Sequence, residues 1–304
     1  MSFTAKDVKN LREKTGCGMM DCKKALTQTD GDMEAAIDIL REKGLAAATK
    51  KSGRIAAEGM AYAALNENGN VGVLIEVNAE TDFVAKNADF KEFVKTCANT
   101  VMEQNPSDID ALMKCTASGT NESVESLVQE KVLTIGENIK IRRFERFEGV
   151  LSSYIHADGR IGVIVKFENA DAIAQNDEFK VFAKDIAMQV AAVNPAYLDR
   201  ESVPADVVEH ERKILVEQVV NDGKPAHIAE KIVDGRIVKF FKDVCLLDQP
   251  FVKDGNISVQ QYCKNISQKL GTDIKISGFA RFEKGEGLEK REDNFADEVA
   301  SMMK

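Results

Sequence analysis

Apolar residues recur at helical spacing through the first part of the chain, which predicts a compact helical module. Thr4 followed by Asp7 predicts a capping box at the start of a first helix, and the glycines Gly16 and Gly18 would end that helix. A second helix follows directly after them. We expect it to pack through its apolar positions, which are Met19, Met20, Cys22, Ala25 and Leu26.

A third helix is predicted from about Asp32, because apolar residues again recur at helical spacing after it. A basic turn followed by a glycine, at Lys43 and Gly44, predicts the end of this helix. Residues 48–59, ATKKSGRIAAEG, then have the composition of a basic flexible linker.

The chain next contains an internal repeat, which is its strongest structural signal. Residues 59–77 (GMAYAALNENGNVGVLIEV) and 149–167 (GVLSSYIHADGRIGVIVKF) align at a constant offset of 90 residues. In each copy an apolar strand leads to an Asn-Gly or Asp-Gly pair and then to a second strand. Tight hairpin turns favour these residue pairs, so each copy predicts a β-hairpin.

The repeat continues beyond the hairpins. Residues 86–93 (KNADFKEF) match 175–182 (QNDEFKVF), which predicts equivalent helices. Residues 135–148 match 270–283 with eight of fourteen positions identical and with the alternation of a strand. We therefore predict an α+β fold whose core consists of two repeated subdomains, each a small antiparallel sheet with helices on one face.

The second copy contains an additional helical insert. Residues 207–220 and 228–244 carry helical apolar spacing and are joined by NDGKP, residues 221–225, which predicts an antiparallel helical hairpin. Residues 292–303 have the pattern of a C-terminal amphipathic helix. The predicted units are an N-terminal module with its linker (1–54), the first core half (55–148), the first part of the second core half (149–200), the helical insert (201–263), the last strand of the second half (264–287) and a C-terminal module (288–304).

Composition disfavours several classes of protein. The 304 residues include 41 Lys and Arg against 50 Asp and Glu, a formal net charge of −9, which disfavours a protein that mainly binds phosphate backbones. No apolar run approaches the roughly 20 residues that cross a bilayer, and the first residues lack a signal-peptide core. We expect a cytoplasmic protein that binds other proteins, with neither nucleic acid nor a membrane as a direct partner.

The sequence contains no motif typical of catalysis or cofactor binding. It has no phosphate-binding loop, no nucleophile elbow and no zinc-protease motif, and its histidines, His156, His210 and His227, are far apart. The six cysteines form no C-x-x-C pair, so we expect reduced, mostly buried thiols and no zinc site. No enzymatic activity, metal or cofactor is predicted.

The segment AETDFVAKN, residues 79–87, follows a predicted strand and stands out from its surroundings. Helix propensity alone predicts a helix start, with Thr81 or Asp82 as the N-cap. Phe83 and Val84 would then enter the core.

The second copy of the repeat favours a different interpretation of this segment. Asp82 aligns with Asp171, whereas Phe83 aligns with Ala172. If the two copies share a fold, a large ring at this position is not needed for folding. Phe83 is then a candidate exposed anchor for a partner, and we expect Asp82 both to cap the helix and to contact that partner.

Several long motifs together resemble the elongation factor Ts family. TGCGMMDCKKAL (15–26) resembles the family's N-terminal signature, and ETDFVAKN (80–87) resembles its second signature. The resemblance spans nearly the whole chain. The remaining motifs resemble family segments in the same order: IGENIKIRR (135–143), KPAHIAEKIVDGR (224–236), DQPFVKD (248–254) and GFARFEKGEGLEK (278–290).

The resemblance implies a guanine-nucleotide exchange factor that binds elongation factor Tu in its GDP-bound and nucleotide-free forms. It implies a three-helix N-terminal domain similar to ubiquitin-associated (UBA) domains, which rests on the GTPase domain of Tu. It also implies that the helical insert mediates a homodimer or a Tu2Ts2 assembly.

The resemblance further implies which residues contact Tu. Thr81, Asp82, Phe83 and Val84 match the family's magnesium-dislocating segment. Asp82 and Phe83 would insert against the GTPase domain and disturb the binding of Mg²⁺ and phosphate, so that GDP leaves and GTP can bind.

Ile135 and His156 match further contact positions of the family. His156 aligns with Asn66 in the first copy, so a polar turn residue is an equal alternative for it.

Two other functions remain alternatives at the level of sequence. The N-terminal module alone would permit an adaptor for ubiquitin-like folds or chaperones, but this leaves the doubled core unexplained. An RNA-binding scaffold could use Lys50-Lys51 and Arg142-Arg143, but the net charge and the few aromatic residues beside them disfavour it. We expect the Arg142-Arg143 pair on the solvent side of a strand.

Overall fold

The N-terminal part of the fold is a module of three helices. The fold is known from a computed structural model that describes residues 3–222 and 226–289. The predicted C-terminal helix (292–303) and residues 223–225 of the turn in the helical insert lie outside the described residues. The helices of the module are α1 (Ala5–Thr15), α2 (Met19–Gln28) and α3 (Met33–Lys51).

Local capping signals position two of these helices. The side chain of Thr4 accepts a hydrogen bond from the backbone N–H of Asp7, and the Asp7 carboxylate accepts one from the backbone N–H of Thr4, so the predicted capping box is confirmed. Asp32 caps α3. Met19 and Met20 differ from expectation, because they are 52% and 63% exposed. The buried core of the module consists of Val8, Leu11, Cys17, Cys22, Ala25, Leu26, Ala36 and Leu40.

Helix α3 is longer than predicted. It continues through Gly44 to Lys51, so the expectation that it ends at Lys43 and Gly44 is wrong. Gly44 is buried, and a Cβ atom there would lie 3.3 Å from the carbonyl oxygen of Gln129 in the first core half. The glycine therefore permits a close approach of two helices and does not end one.

The first core half contains a three-stranded antiparallel sheet in the order β1-β2-β3, with helices on one face. Residues Val73, Ile75 and Val77 of the central strand face these helices and pack with Phe90 and Phe93, as the period of two along a strand requires. Its elements are β1 (Glu58–Leu65), β2 (Val71–Ala79), α4 (Asp82–Lys86), α5 (Ala88–Gln104), α6 (Ile109–Lys114), α7 (Val124–Ile135) and β3 (Lys140–Glu148).

The second core half contains a sheet of the same antiparallel type, in the order β4-β5-β8. Both sheets have a register shift at the same position of the repeat, after Glu76 and after Lys166. Asn87 and Asn176 cap the equivalent helices. Its elements are β4 (Val150–His156), β5 (Ile161–Glu168), α8 (Asp177–Val193), α9 (Ala205–Asn221), α10 (Ala226–Val244), β6 (Pro250–Phe251), β7 (Asp254–Ser258), α11 (Val259–Leu270) and β8 (Lys275–Glu283).

The two sheets pack against each other through the faces that their helices leave free. Gly72 and Gly162 occupy equivalent positions of the repeat at this interface. A Cβ atom at Gly162 would lie 2.7 Å from Cδ1 of Leu74, and one at Gly72 would lie 2.9 Å from Cδ1 of Leu151. A side chain at either position would therefore require neighbouring leucine side chains to shift, and glycine permits the close approach of the sheets without such a shift. The buried residues between the sheets are Ala61, Ala63, Leu74, Leu151, Ile164, Ala280 and Phe282.

Helices α9 and α10 form the predicted helical hairpin around a small cluster of their own. The hairpin is shorter than the predicted insert (201–263), because Leu246, Val259 and Cys263 pack in the core of the second half. A hydrogen bond of 2.9 Å from the N–H of Leu246 to the carbonyl of Tyr197 brings the two ends of the hairpin together.

Arg142 and Arg143 do not lie on the solvent side of their strand as expected. Both bind Glu76, whose side chain has no exposed surface. The Nε atom of Arg143 lies 2.6 Å from Oε2 of Glu76, and the N–H of Gly285 donates to Oε1 at 2.8 Å. A buried carboxylate requires such partners, so these arginines serve the fold.

Candidate functional site

The segment that stands out in the sequence forms the short helix α4 at the end of β2. Val84 and Ala85 face the core and are buried, whereas Phe83 is 79% exposed. Ala172, which aligns with Phe83 in the second copy, is exposed as well. The Phe83 ring therefore contributes to no core of the described fold, and its exposure is consistent with the expectation of an anchor for a partner.

The start of α4 differs from the sequence prediction. Thr81 stands at the N-cap position, but its hydroxyl donates to Oε1 of Glu137 at 2.6 Å and makes no capping bond. The expectation that Asp82 caps the helix is wrong, because the helix already begins at Asp82. The Asp82 carboxylate instead accepts a hydrogen bond of 2.6 Å from Nζ of Lys86, one turn later.

Lys86 sets the electrostatics of the exposed face of α4. Its hydrogen bond to Asp82 lowers the pKa of that carboxyl and raises the pKa of the Lys86 ammonium. The ammonium also lies 5.9 Å from the centroid of the Phe83 ring. A ring, a carboxylate and an ammonium thus form one exposed group on a helix of five residues.

Two glutamates connect the start of α4 to the segment after α7. The Glu137 carboxylate accepts three hydrogen bonds, from the N–H groups of Glu80 and Thr81 at 3.0 Å each and from the Thr81 hydroxyl. The Glu80 carboxylate accepts the N–H of Asn138 at 2.6 Å, and the Asn138 amide donates to the carbonyl of Arg54 at 2.8 Å. We call the contacts among Glu80, Thr81, Glu137 and Asn138 the glutamate clamp. The sequence analysis assigned no role to Glu80, Glu137 or Asn138.

The two further predicted contact residues lie in different surroundings. Ile135 is the last residue of α7 and is half-buried against the first core, close in the chain to Glu137. His156 is the last residue of β4 and is exposed. An ion pair of 2.7 Å between Lys91 of α5 and Asp158 holds the loop after His156 beside the first half.

His156 and its repeat partner Asn66 make different hydrogen bonds. The Asn66 side chain accepts the N–H groups of Asn70 and Val71 and so stabilises its turn. The Nδ1 atom of His156 instead lies 3.1 Å from the hydroxyl of Tyr154 on the same strand. The Asn66 side chain thus bonds to its own turn, whereas the His156 side chain makes no cap bond to the short helix that follows it.

The described part of the chain offers no cluster of three or more His, Cys, Asp or Glu side chains that could hold a metal ion. Within the same residues, no helix is long and apolar enough to span a bilayer. Five of the six cysteines are buried and Cys115 is half-buried, which confirms the expectation that these side chains are mostly buried. Burial raises the pKa of the Cys97 thiol to about 12, so this thiol is protonated at neutral pH.

Comparison with known proteins identifies the family. A family model described as Elongation factor TS matches residues 80–286. The chain is 49% identical to Elongation factor Ts of Trichlorobacter lovleyi over 99% of this chain and 98% of that protein. The identities to the proteins of the same name from Clostridium kluyveri and Clostridioides difficile are 48% and 47%, over 98% and 100% of this chain and 97% and 99% of those proteins. The chain belongs to the elongation factor Ts family.

The matched range covers every candidate site residue in this member of the elongation factor Ts family. It begins at Glu80, the first residue of the glutamate clamp, and includes α4, Ile135 and His156. The relatives extend the similarity over α1 to α3, β1 and β2, which precede that range. The resemblance to the elongation factor Ts family in the sequence motifs is therefore confirmed.

Proposed function

We propose that the protein is a guanine-nucleotide exchange factor of translation that acts on elongation factor Tu. It binds Tu with GDP, promotes the release of GDP and so permits GTP to bind. The observation that carries this proposal is the exposed ring of Phe83, in a chain that belongs to the elongation factor Ts family. An exposed aromatic side chain that no core of the fold needs is available as an anchor for a partner.

The physical basis of such an activity is linkage between two binding events. GDP and Mg²⁺ favour one conformation of the GTPase, and the exchange factor favours another. Each ligand therefore weakens the binding of the other by the same free energy. The factor needs no chemical step of its own, so we propose a binding protein and not an enzyme, without a metal or cofactor.

We assign the insertion to the exposed face of α4. Phe83 enters the GTPase domain of Tu, and Asp82 contacts the same domain beside it. Thr81 and Val84 hold the segment, because the Thr81 hydroxyl donates to Glu137 within the glutamate clamp and Val84 packs in the core. The inserted segment disturbs the Mg²⁺ site and the phosphate contacts, which weakens the binding of GDP.

Two residues outside α4 complete the proposed contact surface. Ile135 lies close in the chain to the clamp, and His156 lies at the end of β4 beside the loop that pairs with α5. We propose that both contact Tu.

We also propose roles for the peripheral units. The N-terminal module is a UBA-like domain that rests on the GTPase domain, and its exposed Met19 and Met20 supply apolar surface for that contact. The α9–α10 hairpin mediates a homodimer or a Tu2Ts2 assembly. Apolar side chains exposed on this hairpin, among them Val220 and Val238, support such an association. The site of action is the cytoplasm.

The decisive experiment is the release of fluorescently labelled GDP from purified Tu, with and without this protein, after addition of excess unlabelled GDP. We expect the release rate to rise with the concentration of the protein and to saturate. A GTPase from outside translation, loaded with the same labelled GDP, is the control and should show no acceleration. Unchanged release from Tu at saturating concentration would reject the proposed function.

A further inference from the structure

The internal repeat provides a comparison for the glutamate clamp, because the second half of the core folds without it. Glu137 aligns with Thr272, and Thr81 aligns with Ala170. Thr272 has no carboxylate to accept the hydrogen bonds that Glu137 accepts. Ala170 has no hydroxyl to donate as Thr81 does. Ala170 is buried in the second core and makes an apolar contact in place of the hydrogen bonds.

The other carboxylate of the clamp is also replaced in the second copy. Glu80 aligns with Asn169, whose side-chain amide donates to the carbonyl of Asp273 at 3.1 Å. In the described fold, the second copy therefore joins the same two chain segments through the amide of Asn169. It retains the same strand order and the same capped helix, so the fold of a half does not require the clamp.

The copy that lacks the clamp also lacks the exposed ring, because Ala172 replaces Phe83. We infer that Glu137 is a positioning residue for Phe83, which holds the start of α4 so that the ring is presented to the partner in one direction. This inference rests on the proposed function. The inference adds to the proposed function a residue that does not itself contact the nucleotide site.

Helix α4 needs an external support of this kind. It has only five residues and no side-chain cap, and so short a helix is not stable by itself. Val84 and Ala85 anchor its buried side. On the other side, Glu137 holds the two N–H groups and the hydroxyl that immediately precede the helix.

The clamp is in turn supported by the N-terminal module. Asn138 binds the carbonyl of Arg54, which follows α3. Leu133 of α7 packs against the core of the module, and Gly44 of α3 lies against the backbone of Gln129. The orientation of Phe83 is therefore connected through Glu137 and α7 to a packed part of the fold.

A rigidly presented ring acts on the partner's nucleotide site more effectively than a loosely held one. Misplacement of a functional group by about 1 Å can cost a rate about 100-fold. For Glu137→Ala we expect a smaller effect, about tenfold, because Val84 and Ala85 still anchor the helix. The loss should affect the maximal rate of GDP release more than the concentration of factor that gives half of that rate.

A double-mutant cycle tests this inference. Glu137→Ala, Phe83→Ala and the double variant are compared with the full-length protein in the labelled-GDP assay at saturating concentration. We expect Glu137→Ala to lower the maximal rate about tenfold when Phe83 is present and to cause no further loss when Phe83 is absent. Glu137→Gln should retain part of the rate, since its amide oxygen can still accept the two N–H groups. Thr272→Ala, the matched change in the second copy, should leave the rate unchanged.

The outcomes separate the inference from the proposed function. If Glu137→Ala lowers the rate of GDP release equally with and without Phe83, Glu137 supports the fold in general. If Glu137→Ala leaves that rate unchanged, Glu137 has no role in exchange. Either result overturns the inference and leaves the proposed function intact. If Phe83→Ala itself leaves the rate unchanged, the proposed insertion fails and the inference with it. Circular dichroism checks folding. If Glu137→Ala does not fold, Thr81→Val replaces it in the double-mutant cycle, because this substitution removes only the hydrogen bond of the hydroxyl. We again expect a lower rate of GDP release when Phe83 is present and no further loss when Phe83 is absent.

Discussion

Phe83 and Phe90 belong to neighbouring helices and lie in opposite environments. The ring of Phe83 is 79% exposed on α4, whereas the ring of Phe90 on α5 has no exposed surface and packs in the first core. The same residue type therefore stands once at a surface and once in a core within a short segment of the chain. The two residues form a matched pair for separating binding from stability.

Phe83→Ala should slow the Tu-dependent release of GDP and leave the melting temperature nearly unchanged. The ring buries little surface in the free protein, and substitutions at such positions change the free energy of unfolding by within about 0.5 kcal/mol. Phe90→Ala is the control and should lower that free energy by about 3–5 kcal/mol, because it leaves a cavity. Thermal melts and the labelled-GDP assay measure the two effects. A large loss of stability for Phe83→Ala with normal exchange per folded molecule would contradict the assignment.

Asp82→Ala should also slow GDP release and leave the melting temperature unchanged. The carboxylate makes no capping bond, and its partner Lys86 is an exposed ammonium on the same helix. Exposed ion pairs of this kind contribute little to stability. Asp32→Ala, which removes a true N-cap from α3, serves as the control and should cost about 1 kcal/mol. Equal losses of stability for the two variants would show that Asp82 does cap its helix.

Glu76→Ala should destabilise the protein strongly. The substitution leaves the guanidinium groups of Arg142 and Arg143 without their buried carboxylate, and breaking a buried ion pair in this way costs about 3–5 kcal/mol. Glu92→Ala is the matched control in the same half, since its side chain is exposed. Urea unfolding followed by circular dichroism gives both free energies. A loss for Glu76→Ala no larger than that of the control would show that the buried pair is not needed.

Replacement of residues 205–240 by a short Gly-Ser linker should give a folded monomer, if the α9–α10 hairpin mediates dimerisation. The hairpin has its own apolar cluster, and the hydrogen bond from Leu246 to Tyr197 keeps its ends adjacent. Light scattering with circular dichroism measures mass and folding. A dimer that persists after the replacement would place the association elsewhere.

A longer deletion, from residue 198 to 264, provides the comparison for this experiment. It would remove Leu246, Val259 and Cys263 from the second core, so we expect it to unfold that half. A folded product of the longer deletion would contradict the packing of these residues.

Local patterns in the sequence were sufficient for most elements of the fold. The capping box of Thr4 and Asp7, the start of a helix near Asp32, the two hairpins and the helices of the insert were predicted from residues close to one another in the chain. Predictions failed where a distant part of the chain changed the local preference. Gly44 has the sequence signature of a helix end, but packing against Gln129 places it inside a helix.

The sequence by itself determined the repeat, the family resemblance and the choice of Phe83, because the two copies can be compared position by position without coordinates. Only the tertiary structure decided that Arg142 and Arg143 bind a buried Glu76, and that Glu137 holds the start of α4. The physical reason is that these contacts join polar groups from segments far apart in the chain. Their energies depend on burial and distance, which no local pattern of residues records.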